Sequence, residues 1–185
     1  MIEIRDDIPG WMHIEQLEWL ADQASSHHRI IEIGAWAGRS ADVLSRATRG
    51  AVWVVDSWSP TDPGDQTTKG LFDIDAACAC NIYMDKVGYR NNVTTMMMTS
   101  ADAYAQLGHL TFDMVFIDAD HRYQAVLEDI LMWRSLLSPK GLLCGHDGEY
   151  TDVRRAVDEL VPDAQFFATP QENMDDALIW YTTNG

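Results

Sequence analysis

Apolar positions along the chain follow two periods. Short runs of aliphatic and β-branched residues occupy Ile30 to Ile33, Ala51 to Val55, Val93 to Met98, Phe112 to Ile117 and Leu142 to Gly145. The first of these runs alternates little, which is the pattern of a strand buried on both faces. Between them apolar residues return at helical spacing. Met12 to Ser26 reads as a helix with Ile14, Leu17, Leu20, Ala21 and Ala24 near one face, and His27 and His28 at its carboxyl end suit capping. Further helices are expected at Ser40 to Ala47, Leu71 to Val87 (ended by Gly88), Ala101 to Leu107 (capped by Ser100), Arg122 to Leu137 and Val153 to Leu160, with Pro139-Lys140-Gly141 as a turn. Strands alternating with helices predict an α/β, doubly wound, mostly parallel sheet. Gln165 to Ala168 and Ala177 to Tyr181, separated by a polar connection, bring it to seven strands with an antiparallel edge strand.

The first strand runs into Gly34-Ala35-Trp36-Ala37-Gly38 and then a helix. Strand, glycine turn and helix form the unit that binds nucleotide-like ligands at the carboxyl end of a parallel sheet. A dinucleotide fingerprint needs a middle glycine for close approach to a pyrophosphate, and Trp36 and Arg39 stand where its second and third glycines would be. That argues against a dehydrogenase. Glu32, at the end of a buried strand, needs partners such as an ammonium group or backbone N–H donors. The pattern E-x-G-x-x-x-G resembles the first motif of class I S-adenosylmethionine (SAM) methyltransferases, in which the turn lies against the methionine part of SAM. The resemblance implies a Rossmann-like fold and SAM contacts at Glu32, Gly34, Ala35, Trp36, Gly38 and Ser40. Asp56 ends the second strand about 20 residues after the turn, where a ribose diol is usually gripped. Ser57 and Trp58 follow it, and the indole suits stacking on a base. Ala101 and Asp102 lie at the sheet's carboxyl edge, where Asp102 has two readings: facing an adenine amine, or stabilising the helix dipole.

The length, 185 residues, suits a single domain over 1–185. Ser59 to Gly70 is rich in Pro, Asp, Thr and Gly and reads as a loop, so 59–90 is expected to be a lid or substrate insertion. A formal net charge of −16 speaks against nucleic acid as a main partner. No run spans a bilayer and no signal peptide is evident, so a cytoplasmic location is expected. Three cysteines, Cys78, Cys80 and Cys144, give neither a disulfide framework nor zinc spacing and read as small buried apolar residues in a reducing compartment. Met96-Met97-Met98 reads as core filler.

A second constellation sits at the ends of the fourth and fifth strands: Asp118, Asp120 and His121, then His146 and Asp147. Strand ends bind ligands in open sheets of this kind, and so many carboxylates call for a divalent cation. The run F-I-D-A-D-H-R-Y followed by G-L-L-C-G-H-D resembles the metal-dependent small-molecule O-methyltransferases. It is closest to the macrolide-sugar and cephalosporin hydroxylase-like branch, and more distant from catechol and caffeoyl-CoA methylation. The resemblance covers about Arg29 to Asp147. It implies Asp118 as a metal ligand, His121 as general base, and His146 with Asp147 completing the site for a divalent metal, Mg or Mn. It also implies a small-molecule hydroxyl acceptor, and dimers are common among such relatives. His146 departs from the pattern: magnesium prefers oxygen ligands, whereas imidazole suits manganese, iron, zinc or nickel. Either the metal is not magnesium, or His146 turns away and Asp147, with Glu149, binds it. The other class of reading is an accessory or regulatory module that binds SAM without methyl transfer, since little chain lies before Trp11 or after the last strand to cover an acceptor.

Overall fold

A computed structural model describes residues 2–59, 74–169 and 178–183. Seven strands form one sheet: β1 (Arg29–Ile33), β2 (Ala51–Asp56), β3 (Val93–Met97), β4 (Phe112–Ile117), β5 (Leu137–Gly145), β6 (Gln165–Ala168) and β7 (Leu178–Thr182). Their spatial order is β3-β2-β1-β4-β5-β7-β6. The first five strands pair in parallel, and β7 is antiparallel to both β5 and β6. Strand order reverses between β1 and β4, so the carboxyl ends of these two strands flank the switch point where ligands bind in open sheets.

Among the described residues six α-helices cover the sheet: α1 (Ile14–Ser25), α2 (Arg39–Ala47), α3 (Ala76–Tyr83), α4 (Ser100–Leu107), α5 (Tyr123–Arg134) and α6 (Thr151–Leu160). Alternate strand residues enter two cores. Ile30, Val52, Val54, Met114, Phe116 and Leu142 pack with Leu17 and Leu20 of α1, Val43 and Leu44 of α2, and Ala79 and Tyr83 of α3. Ile31, Ile33, Val55, Val115, Ile117 and Leu143 pack with Leu107 of α4, Ile130 and Trp133 of α5, and Val153 and Val157 of α6. Both faces of each central strand are therefore covered, which explains the unbroken apolar runs.

Several local readings are corrected. On α1, Ile14 is 50% exposed while Gln16 is fully buried, so the inward face holds a polar residue. Helical structure expected from Leu71 begins at Ala76, because the Asp75 carboxylate accepts the Cys78 N–H at 2.8 Å and caps it there; it ends in a π turn at Met84–Gly88. Residues 60–73, which hold all of the expected loop but Ser59, the first three positions of the expected helix and less than half of the expected 59–90 lid, lie outside the described residues, as do 170–177 of the late connection. Thr99, not Ser100, caps α4: its hydroxyl accepts the Asp102 N–H. The Ser100 hydroxyl instead reaches Asp129 and receives the Trp133 Nε1–H. The helix expected to run to Leu137 stops at Arg134. Pro139 to Gly141 falls inside β5, where Lys140 takes φ 67 and the pairing with β4 shifts register. Met96 is buried but Met97 is 58% exposed on the sheet's edge strand, and Cys78 is exposed. The carboxyl-terminal cap reading holds for His27, whose Nδ1 lies 2.7 Å from the Gln23 carbonyl oxygen.

Trp133 is fully buried and anchors α5 both by its ring and by its Nε1–H. Trp133→Ala is expected to lower the unfolding free energy by about 3–5 kcal/mol, read from urea denaturation.

Candidate active site

The first turn after β1 is built by backbone geometry. Gly34 and Gly38 take φ 87 and 90, and Trp36 between them takes φ 46, a left-handed conformation unusual for so bulky a residue. Gly34 has no substitute: a Cβ there would lie 2.0 Å from the Asp118 carbonyl oxygen. The turn is held from β2. Asp56 Oδ2 accepts the N–H groups of Ala35 (2.8 Å) and Trp36 (2.9 Å), and Oδ1 accepts that of Trp58 (2.7 Å). Trp58 donates its Nε1–H to the Trp36 carbonyl at 2.8 Å, and the rings of Trp11 and Trp36 lie 4.2 Å apart. Asp56 therefore organises the turn through backbone donors in addition to any ligand it meets.

Glu32 sits beneath the turn, fully buried. Its Oε1 accepts the Ser40 hydroxyl, and among the described residues its Oε2 has no hydrogen-bond partner. Burial pushes this carboxyl well above its usual range; the Ser40 hydrogen bond opposes the shift, and the charges of Asp118 and Asp56 add to it. An unused acceptor of this kind invites a cationic donor.

The second cluster lies at the ends of β4 and β5. Asp118 follows β4, and its N–H donates to Ile33 at 2.8 Å, which ties the cluster to the first turn. Asp147 takes φ 59 just beyond β5. Its Oδ2 lies 2.7 Å from His121 Nε2, and its Oδ1 lies 3.1 Å from His146 Nδ1. His146 Nδ1 is also 3.7 Å from Asp118 Oδ1. Burial raises Asp118, with the charge of His146 opposing. Burial would raise Asp147 too, but the two imidazoles hold it well below the usual carboxylate range. Burial would lower His146, yet Asp118 and Asp147 outweigh it and hold the imidazole above its ordinary value.

Asp118, His121 and Asp147 each offer one ligand atom, all within 4.8 Å of one another. Two carboxylates and an imidazole form a donor set that fits a divalent cation. His146 lies outside that trio and faces its two carboxylates from beneath. Glu149 is engaged elsewhere, since its Oε2 accepts the Leu178 N–H at 2.8 Å.

A family model described as a methyltransferase domain matches residues 31–148, which hold both turn clusters. The chain belongs to this methyltransferase domain family. Among curated proteins, none matches it by sequence. The methyltransferase resembles, in fold, an O-methyltransferase from Bacillus cereus solved in complex with SAH, with TM-score 0.69 and 19% identity over 95% of this chain and 84% of that one. It also resembles the O-methyltransferase TomG from Streptomyces achromogenes, involved in tomaymycin synthesis and solved with SAM, with TM-score 0.67 and 19% identity over 97% and 83% of the two chains. The methyltransferase is of the SAM-dependent class, and its sheet is the Rossmann-like one of that class.

Within the methyltransferase the structure brings Glu32, Gly34, Ala35, Trp36, Gly38, Ser40, Asp56 and Trp58 around one turn, with Ser57 exposed on its rim. Asp118, His121, His146 and Asp147 gather beside it. Ala101 and Asp102 are exposed on the first turn of α4. Among the described residues the Asp102 carboxylate bonds only the Thr99 hydroxyl, at 2.7 Å, as a helix cap does. Gln16 is the residue that sequence reasoning missed: its Oε1 lies 3.3 Å from His146 Nε2. The signal available was its spacing, three positions after the N-cap His13. Among the described residues no helix is long and apolar enough to cross a membrane.

A carboxyl whose folded pKa is raised adds stability below its unfolded pKa, and that stability is lost as pH rises through the folded value. Glu32 therefore weakens the cofactor-free fold toward neutral pH. Glu32→Gln is expected to raise the melting temperature of the cofactor-free protein at pH 7 and flatten this pH dependence. It should also weaken SAM binding about 10-fold or more, measured by calorimetry.

Proposed function

We propose that this methyltransferase is a cytoplasmic O-methyltransferase of a small-molecule hydroxyl, assisted by a divalent metal. The observation that supports this best is the His121–Asp147 pair at 2.7 Å, set with Asp118 beside the glycine turn. SAM supplies an activated methyl group, and a divalent cation, when bound, supplies Lewis acidity toward the acceptor oxygen.

The chain's own residues then have four tasks. Glu32 Oε2 takes the ammonium end of SAM, for which it has an unused acceptor. Asp56 keeps the turn closed and presents its carboxylate toward the ribose, while Trp36 and Trp58 wall the cofactor side. Asp118 and Asp147 would hold the cation, and the His146 imidazole, with Nδ1 3.1 Å from Asp147 Oδ1, favours manganese or another nitrogen-tolerant ion over magnesium. His121 accepts the proton that the acceptor hydroxyl loses. Histidine is the side chain whose ordinary titration range lies nearest neutral pH, which suits that work. Asp147 orients the ring through Nε2, as a carboxylate orients a general base. Because the methyl donor is already activated, most of the acceleration comes from placing donor and acceptor in line.

Calorimetric titration of the metal-stripped protein with SAM, then with magnesium or manganese, tests the reading. SAM binding is expected, followed by a further metal heat that disappears in Asp118→Asn. Failure to bind SAM would remove the methyltransferase chemistry, and SAM binding with no metal heat would remove the metal. His121→Ala should lower turnover about 10²-fold to 10⁴-fold with SAM affinity retained. Loss of SAM affinity instead would assign His121 to the cofactor site.

A further inference from the structure

Gln16 occupies the third position of α1, outside the sheet and outside both turns, yet it is fully buried. Its Oε1 accepts the His13 backbone N–H at 3.0 Å and lies 3.3 Å from His146 Nε2. Its own Nε2 is buried and has no hydrogen-bond partner among the described residues. A buried amide with an unused donor is destabilising, so its oxygen must supply something that an apolar residue there would not. The His13 N–H can only donate, which requires the amide oxygen at that contact and removes the freedom to exchange the O and N of Gln16. The same oxygen faces His146, and two acceptors cannot share a hydrogen bond. His146 Nε2 therefore carries the hydrogen. The other ring nitrogen, Nδ1, points at Asp147 Oδ1 (3.1 Å) and Asp118 Oδ1 (3.7 Å).

We propose that Gln16 is a positioning residue of the active site, accepting from His146 Nε2 so that Nδ1 is directed at the Asp118–Asp147 pair. This rests on the reading of that pair as the reacting centre. A bare lone pair facing carboxylate oxygens would be repulsive, so with the hydrogen on Nε2 the Nδ1 lone pair is the one that would meet a cation held between the two carboxylates. The two histidines thereby divide the work. His121, bonded to Asp147 through Nε2, handles the acceptor proton, while His146 is held against the two carboxylates by a residue of α1. Second-sphere partners of this kind fix the tautomer and ring orientation of a histidine. The amino-terminal helix thus reaches the chemistry through one side chain.

Histidine side-chain ¹⁵N–¹H correlation spectra of the full chain test this, with His146→Asn used to assign the resonances. The wild-type protein is expected to show a hydrogen-bearing Nε2 on His146. Gln16→Leu should shift that signal and lower turnover about 10-fold to 100-fold with SAM binding unchanged, while Gln16→Glu, which keeps an acceptor oxygen, should restore both. A His146 Nε2 without hydrogen in the wild-type protein overturns the proposal. So does a Gln16→Leu protein whose Nε2 signal is unchanged, even if its activity falls. Should Gln16→Leu fail to fold, the wild-type spectrum alone decides. The spectrum needs neither acceptor nor turnover. A hydrogen-bearing Nε2 in a protein that transfers no methyl group would uphold the contact and count against the reaction.

Discussion

The carbonyl of Asp118 lies where a side chain of residue 34 would begin. A Cβ on Gly34 would come within 2.0 Å of it, so the turns after β1 and β4 touch backbone to backbone. That approach is possible because β1 and β4 are neighbours in the sheet and the Asp118 N–H is bonded to Ile33. It places the carboxylates of Glu32 and Asp118 close enough that the charge of Asp118 raises the proton affinity of Glu32. Without the glycine, the two clusters would separate and the switch point would hold two unrelated patches.

Four carboxylates converge on this junction, and their surroundings push them apart in character. Asp56 is satisfied by three backbone N–H groups. Asp147 is flanked by two imidazoles and stays ionised. Glu32 is buried and Asp118 half-buried, neither with a matching set of donors among the described residues, and both hold protons more tightly than free carboxylates. Such a division marks the groups that wait for a cationic partner and those that already have one. In a chain of net charge −16 the overall field also favours cations over anions.

Much of the architecture is legible from period and punctuation. The unbroken runs at β1, β2 and β4 announce strands covered on both faces, and each strand's alternate residues do enter opposite cores. Boundaries were less legible where a side chain competes for the backbone. Asp75 delays a helix by capping it, Thr99 takes the cap expected of Ser100, and Lys140 bends β5 without ending it. Helical spacing placed Ile14 inward, but burial on α1 follows what the helix packs against, and that is where Gln16 meets His146.

By itself the sequence determined the fold class, the glycine turn and the acids and histidines at the strand ends. Those features follow from local periodicity and from residue types that few backbones tolerate. Tertiary structure decided which imidazole faces which carboxylate, that Asp56 secures the turn as well as lining the site, and that Glu32 keeps an empty acceptor. It also brought together Gln16 and His146, which stand 130 positions apart. Pairings of that kind depend on burial and on hydrogen-bond direction, and neither quantity exists until the sheet has assembled.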